Sequence, residues 1–328
     1  MKKKILITGG GGFIGGHLAK FYYNKGYQVS CVDLKKKPDW FQFNPKINNI
    51  VADCRDPIVC DRITKKVDYV FNLACDMGGM GFIENNKALC MLSAVININL
   101  LKSSKTNKVK KFFYSSSACI YPSFKQKNLN KPKLKETDAY PADPEDGYGW
   151  EKLFNERMCR HFYEDFGLEV RIARYHNIYG EHGSWVGGRE KAPAALARKF
   201  IECIVKKSKN IEIWGNGKQI RSFLYIDDCI RATDLLFKSN YRSPINIGNE
   251  KFVTINKLID ILEKISGHKF SRKYDLSKPQ GVMARSSDNT LVKKILKWSP
   301  EVRIEEGMEK IFYHIKNEFD KNLNEKNK

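Results

Sequence analysis

Short apolar runs and longer amphipathic stretches take turns along the first half of this chain. Residues 3–8 form a compact apolar run that charge precedes and glycine ends, as a buried strand does. Residues 13–25 then repeat their apolar positions every three or four residues, which predicts a helix. Further strands are expected at 28–33, 47–52, 68–73 and 111–116, and helices at 57–65 and 85–106. Residues 120–146 are rich in proline and lysine without a period, so they read as loop. A helix through 148 and 152, a strand at 170–174 and helices near 192–207, 226–238, 254–266 and 305–319 complete the pattern. Strand–helix alternation of this kind predicts an α/β fold with a doubly wound parallel sheet, and the shorter later elements predict a smaller mixed α/β lobe.

Composition narrows the class without choosing the chemistry. At 42% hydrophobic and 29% charged over 328 residues, the chain has material for a sizeable core. No apolar run approaches the ~20 residues that span a bilayer, so no membrane role is expected. The apolar stretch after Met1–Lys4 is too short for a signal peptide. Nine scattered cysteines, none spaced Cys-x-x-Cys, predict neither disulfides nor a metal site, and point to a reducing cytoplasm. The formal charge of +21 comes from lysines spread over many segments and rarely interleaved with aromatics. That is a solvated surface rather than a nucleic-acid footprint, although its field favours a diphosphate ligand.

The candidate chemistry begins at Gly9-x-x-Gly12-x-x-Gly15, between the first strand and the first helix. Gly9 suits a tight turn, Gly12 lets backbone approach a pyrophosphate, and Gly15 allows close helix–strand packing. Asp33, ending the second strand, is placed to accept from a ribose diol and to repel a 2′-phosphate, so NAD is expected over NADP. Phe13, Ile14 and Ala74 complete the expected cofactor contacts together with Tyr148 and Lys152. Asp53 either reaches the adenine or caps the helix beginning near Pro57. Residues 1–175 are therefore expected to form an NAD-binding Rossmann domain that receives later segments. Residues 176–320 would be a substrate lobe interleaved with those returns, and 321–328 a polar tail.

Tyr148 and Lys152 lie one helical turn apart on one face. An ammonium and a nicotinamide charge nearby are expected to lower the phenol so that it acts as a base, with Ser117 holding the same hydroxyl. With these residues go the blocks Asn72-Leu73-Ala74, 76–83, 116–122, His176-Asn177-Ile178-Tyr179-Gly180, 187–195 and Arg221-Ser222-Phe223. Over nearly its whole length the chain resembles the extended short-chain dehydrogenase/reductases, and among them the NAD-dependent nucleotide-sugar epimerases and dehydratases.

The resemblance implies a GDP-sugar substrate, inversion at C3 and C5 of the hexose through a 4-keto intermediate, and a homodimer. A C4 ketone makes the C3 and C5 protons acidic, so one group must remove a proton and another return one. Residue type alone leaves Cys119 open between core packing and chemistry; the resemblance makes Cys119 and Lys191 the acid/base couple. It also implies substrate contacts at Met77, Gly78, Gly79, Ser117, Asn177, Glu190, Lys199, Gln219 and Arg285, with Lys199 and Arg285 on phosphate oxygens. Trp214 either packs in the core or stands near the base. Alternatives on the same fold are a GDP-heptose epimerase, a 4-epimerase or a 4,6-dehydratase. A dehydratase would place a carboxylate close behind the strand serine, where Cys119 and Ile120 stand. A nucleotide-sensing or RNA-binding relative is the non-enzymatic alternative.

Overall fold

The computed structural model describes residues 2–128, 130, 133–278 and 281–326. Seven strands build the main sheet: β1 (Lys4–Thr8), β2 (Gln28–Asp33), β3 (Asn48–Val51), β4 (Tyr69–Asn72), β5 (Lys111–Ser117), β6 (Val170–Tyr175) and β7 (Ile245–Ile247). Their order is β7-β6-β5-β4-β1-β2-β3, and every pairing is parallel. The direction of winding reverses between β1 and β4, which opens a crevice at the carboxyl ends of the strands. Gly9, Asp33, Ala74 and Ser117 all lie at those ends.

Strand side chains alternate faces, and both faces are covered. Leu6, Val70 and Phe112 pack on one side with Leu100, Cys159 and Phe162. Ile5, Ile7, Phe71 and Phe113 pack on the other with Leu18 and Leu236. This double burial explains why the strands read as continuous apolar runs rather than alternating ones. A four-stranded sheet of Phe252–Thr254, Ile220–Ser222, Ala284–Ser287 and Lys133–Leu134, and two strand pairs, supply the smaller elements.

Three expectations change. The single helix expected at 85–106 is three: Met80–Asn85, Lys87–Met91 and Ser93–Thr106. Asn86 leaves helical geometry (φ −135°, ψ 44°) and its side chain donates back to Phe82 O. That break lets Lys87 O approach Gly147, where a Cβ would stand 2.8 Å from it. The expected loop 120–146 contains short 3₁₀ turns, and Lys133–Leu134 pairs in parallel with Ser286–Ser287. The polar end of the chain continues the last helix, Ile304–Lys326. Positions 129, 131 and 132 of that loop and 327–328 of that tail lie outside the described residues.

One buried polar network joins β5, β6, β7 and the helix Asp146–Phe166. Glu156 takes Arg174 Nε (2.9 Å) and Nη2 (2.7 Å) on its two oxygens, and Ser116 Oγ donates to it at 2.5 Å. Arg174 Nη1 donates to Glu136 O and to Tyr121 Oη, and Tyr121 donates to Asn246 Oδ1 (2.6 Å). Removing one partner strands a buried charge, which costs about 3–5 kcal/mol, whereas removing both is far milder. Glu156→Ala should therefore lower the unfolding free energy in urea by ~3–5 kcal/mol, and Glu156→Leu with Arg174→Met by clearly less. Equal losses for the single and double variants would show that the ion pair is not what matters there.

Candidate active site

The glycine turn after β1 is shaped by what surrounds it. Gly9 has φ +72°, and a Cβ there would stand 2.9 Å from the Leu73 carbonyl and 3.0 Å from Ala74 N. A Cβ on Gly15 would stand 2.1 Å from Gly9 O, so the helix Phe13–Asn24 can lie against the turn only if this residue is glycine. Gly12 differs: a Cβ there would meet only Gly9 O, at 3.1 Å. Its bare backbone therefore faces open space at the helix N-terminus, where unpaired N–H groups attract phosphate. Phe13 and Ile14 form the first helical turn. Gly11 also matters, because a Cβ there would drive into the Trp40 ring at 2.6 Å.

Asp33 accepts Gly11 N on Oδ2 (3.1 Å) and Lys35 N on Oδ1 (3.0 Å). These bonds fix the carboxylate at the end of β2 and leave lone pairs for a ribose diol. The residues present fit NAD. Asp53 corrects one alternative: Asp56, not Asp53, caps the helix Pro57–Thr64 by accepting Ile58 N at 2.8 Å. Asp53 holds Arg55 instead, through both carboxylate oxygens.

Ser117 ends β5, and its Oγ accepts Cys119 N at 3.2 Å, which turns the chain into the 3₁₀ turn Ala118–Ile120. Tyr148 and Lys152 are 4% and 2% exposed, and the Lys152 ammonium lies 5.5 Å from the Tyr148 ring centre. Burial pulls the Lys152 ammonium down, but Cys75 and Glu151 outweigh it and leave Lys152 raised. The expected lowering of Tyr148 is not found. Burial pushes its phenol well above the ordinary range, with Cys75, Cys119 and Glu151 adding to it and Ser117 opposing. The expectation had counted the positive charge of an oxidised nicotinamide.

A cavity of about 280 Å³ opens beside Tyr148, and Ser117, Cys119 and Lys191 all line it. Lys191 stands just ahead of the helix Ala192–Val205, and burial holds its ammonium below the usual lysine range. Cys119 is 8% exposed and receives Arg285 Nη1 on Sγ at 3.5 Å. Arg285 is thus turned toward the thiol, with Nε on Gln126 Oε1 (2.6 Å) and an ion pair to Glu145. The guanidinium expected on phosphate lines the cavity while it meets these protein groups. Lys199 likewise holds Glu212 Oε1 at 3.0 Å, although it too lines the cavity.

The other expected contacts converge. Met77, Gly78, Gly79, Asn177, Glu190 and Gln219 all line the same cavity. A Cβ on Gly79 would stand 2.5 Å from Glu190 O, so this glycine lets the two cavity-lining segments touch. Asn177 adopts φ +45° and donates to Ser222 O at 3.0 Å, and Glu190 pairs with Arg198. Trp214 is 44% exposed on the cavity rim, which removes the core-packing alternative. Sequence reasoning missed Glu145 and Arg221. Burial pushes Arg221 down to about 10, partly offset by Cys119. Arg221 stood inside a recognised block; Glu145 sits three residues before Tyr148, at the end of an apparently featureless loop.

Comparison with known proteins agrees with this geometry. The chain is 43% identical to GDP-mannose 3,5-epimerase 1 of Oryza sativa subsp. indica over 98% of its own length and 83% of the rice protein. It superposes on UDP-glucose 4-epimerase of Thermotoga maritima, solved with UDP-glucose, with a TM-score of 0.86, 27% identity and coverage of 96% and 99%. It also superposes on UDP-glucuronic acid 4-epimerase of Bacillus cereus, solved with UDP-glucuronic acid and NAD, with a TM-score of 0.77, 26% identity and coverage of 96% and 99%. Residues 5–248 match the NAD dependent epimerase/dehydratase family along the whole main sheet. A dinucleotide-shaped turn, a buried Ser–Tyr–Lys set and that match have one meaning: this chain belongs to the NAD-dependent epimerase/dehydratase family.

Proposed function

We propose that this chain is an NAD-dependent epimerase of GDP-mannose that inverts carbons 3 and 5 of the hexose through a 4-keto sugar. The observation that carries the reading is that one cavity is lined both by an oxidation set, Ser117 and Tyr148, and by a thiol–amine pair, Cys119 and Lys191. A plain 4-epimerase needs only the first set. A 4,6-dehydratase needs a carboxyl acid beside the sugar, and Glu145 is held by Arg285. The guanosine and mannose assignments rest on the rice relative, whose identity far exceeds that of the UDP-sugar enzymes.

Gly9, Gly12, Gly15 and Asp33 would hold NAD, which when bound would supply the hydride acceptor and a positive charge favouring the Tyr148 phenolate. Tyr148 accepts the C4 hydroxyl proton while Ser117 orients that hydroxyl and Lys152 supports the phenolate. Cys119 then removes a proton next to the C4 carbonyl, and Lys191 returns one. Its lowered ammonium gives up a proton more readily than an ordinary lysine does. All nine cysteines are free thiols, which supports a reducing, cytoplasmic setting. Among the described residues no helix is long and apolar enough to cross a membrane.

A homodimer is part of this reading. Met91, Leu92 and Val95, with Trp150 and Phe154 one turn apart on the neighbouring helix, are each 38–50% exposed. Apolar side chains massed on adjoining helices favour a second copy as cover. Trp150→Asp with Phe154→Asp should halve the mass measured by light scattering; an unchanged mass would place the interface elsewhere.

The chemistry is tested by separating its steps. In deuterated water the wild type should place deuterium at C3 and C5 of the product and none at C4. Cys119→Ala should still oxidise C4, accumulating bound NADH with absorbance near ~340 nm, yet leave C3 and C5 unlabelled. Tyr148→Phe should lose turnover by ~10²–10⁴-fold, with neither signal. Label entering C3 and C5 in Cys119→Ala at the wild-type rate would remove the cysteine from the mechanism.

Lys191 gives the pH dependence its sign. A donor must be protonated, and burial lowers the Lys191 pKa, so its proton is lost earlier as pH rises. The kcat profile should fall on the alkaline side before pH ~10, the ordinary lysine range. A profile that stays flat past that point excludes Lys191 as donor.

A further inference from the structure

The mechanism uses neither carboxylate that lines the cavity: Glu190 pairs with Arg198, and Glu145 is the one that reaches Cys119 through a cation. Glu145 stands immediately before the helix Asp146–Phe166, and its backbone N–H donates to Cys119 O at 3.0 Å. Its side chain is 9% exposed, lines the cavity and is ion-paired with Arg285. Arg285 in turn donates to Cys119 Sγ (3.5 Å) and to Gln126 Oε1 (2.6 Å). Gln126 is itself fixed, donating to Tyr121 O and Pro122 O. The guanidinium therefore bridges a thiol and a carboxylate in one held orientation.

A guanidinium on a sulfur favours the thiolate. Four further cations line the same cavity: Lys191 ahead of the helix Ala192–Val205, Arg221 on the strand Ile220–Ser222, and Arg198 and Lys199, which pair with Glu190 and Glu212; Tyr148, on the helix after Glu145, is a buried phenol. Left uncompensated, these cations would hold the sulfur as a thiolate that accepts a proton poorly. An acid/base residue that must be restored each turnover has to bind its proton as well as lose it. We propose that Glu145 is a positioning residue that clamps Arg285 onto Cys119 and offsets its charge, so that the sulfur can both take and give a proton. This rests on the reading of Cys119 as an acid/base group.

The test is alkylation of the purified full-length chain by iodoacetamide across pH, without sugar, following the Cys119 peptide by mass spectrometry. Glu145→Gln keeps an oxygen for Arg285 and removes the charge. The midpoint for Cys119 should move down by about one pH unit or more, which is ~tenfold more thiolate below both midpoints. Glu145→Asp should bring it back toward wild type, and Arg285→Gln should move it upward. In turnover, Glu145→Gln should lower kcat while KM for GDP-mannose stays within ~threefold, the split expected when chemistry rather than binding is affected. An unchanged or raised midpoint in folded Glu145→Gln overturns the proposal. If that variant does not fold, an unchanged or lowered midpoint in Arg285→Gln overturns it instead. The midpoint is read without turnover, so it is independent of whether Cys119→Ala still labels C3 and C5, the result that would remove the underlying reading.

Discussion

The bidentate pair of Glu156 and Arg174 is the constraint on which the site depends. It is buried on both partners and joins a helix to β6 of the parallel sheet. Ser116 donates into it from the strand end, so the neighbouring residue Ser117 is pointed the opposite way, into the cavity. Tyr121, anchored by Arg174 and Asn246, fixes the far end of the same short turn. Cys119 sits between these two anchors. A turn held at both ends by buried polar bonds can keep a thiol at a set distance from Arg285 without a long secondary element.

The same helix serves both halves of the chemistry. Glu156 locks it to the sheet, Tyr148 and Lys152 project from its first turns, and Glu145 stands just before it. Gly149 allows this closeness, since a Cβ there would stand 2.4 Å from Cys119 O. In the proposed mechanism, Tyr148 and Cys119 would thus be held by one helix, which suits reactions whose atoms lie one bond apart.

Charge in the cavity is balanced locally. Lys152 meets Glu151 and Cys75, Arg198 meets Glu190, and Arg285 meets Glu145. Burial then shifts two further groups: it lowers the Lys191 ammonium, as a proton donor needs, and raises the Tyr148 phenol, which the positive charge of a bound nicotinamide would oppose. Local pairing also explains why the formal charge of +21 says little about the site: most of it lies on solvated lysines far from these pairs.

The strands, the glycine turn, Asp33 and the Tyr148/Lys152 spacing were legible in the sequence because each depends on neighbours within a few residues. Periodicity, a turn and one helical face are local properties. The break at Asn86 was not legible, because what matters there is the contact with Gly147 sixty residues on. Nor were the protein partners of Arg285 and Lys199, since only the fold brings Glu145 and Glu212 within reach of them. Residue type and spacing determined the cofactor turn and the Tyr148/Lys152 pair, while Cys119 and Lys191 were singled out only by the family resemblance. Only the tertiary structure decided which charges face each other, because ionic partners are chosen by distance in space and by burial, neither of which the order of residues contains.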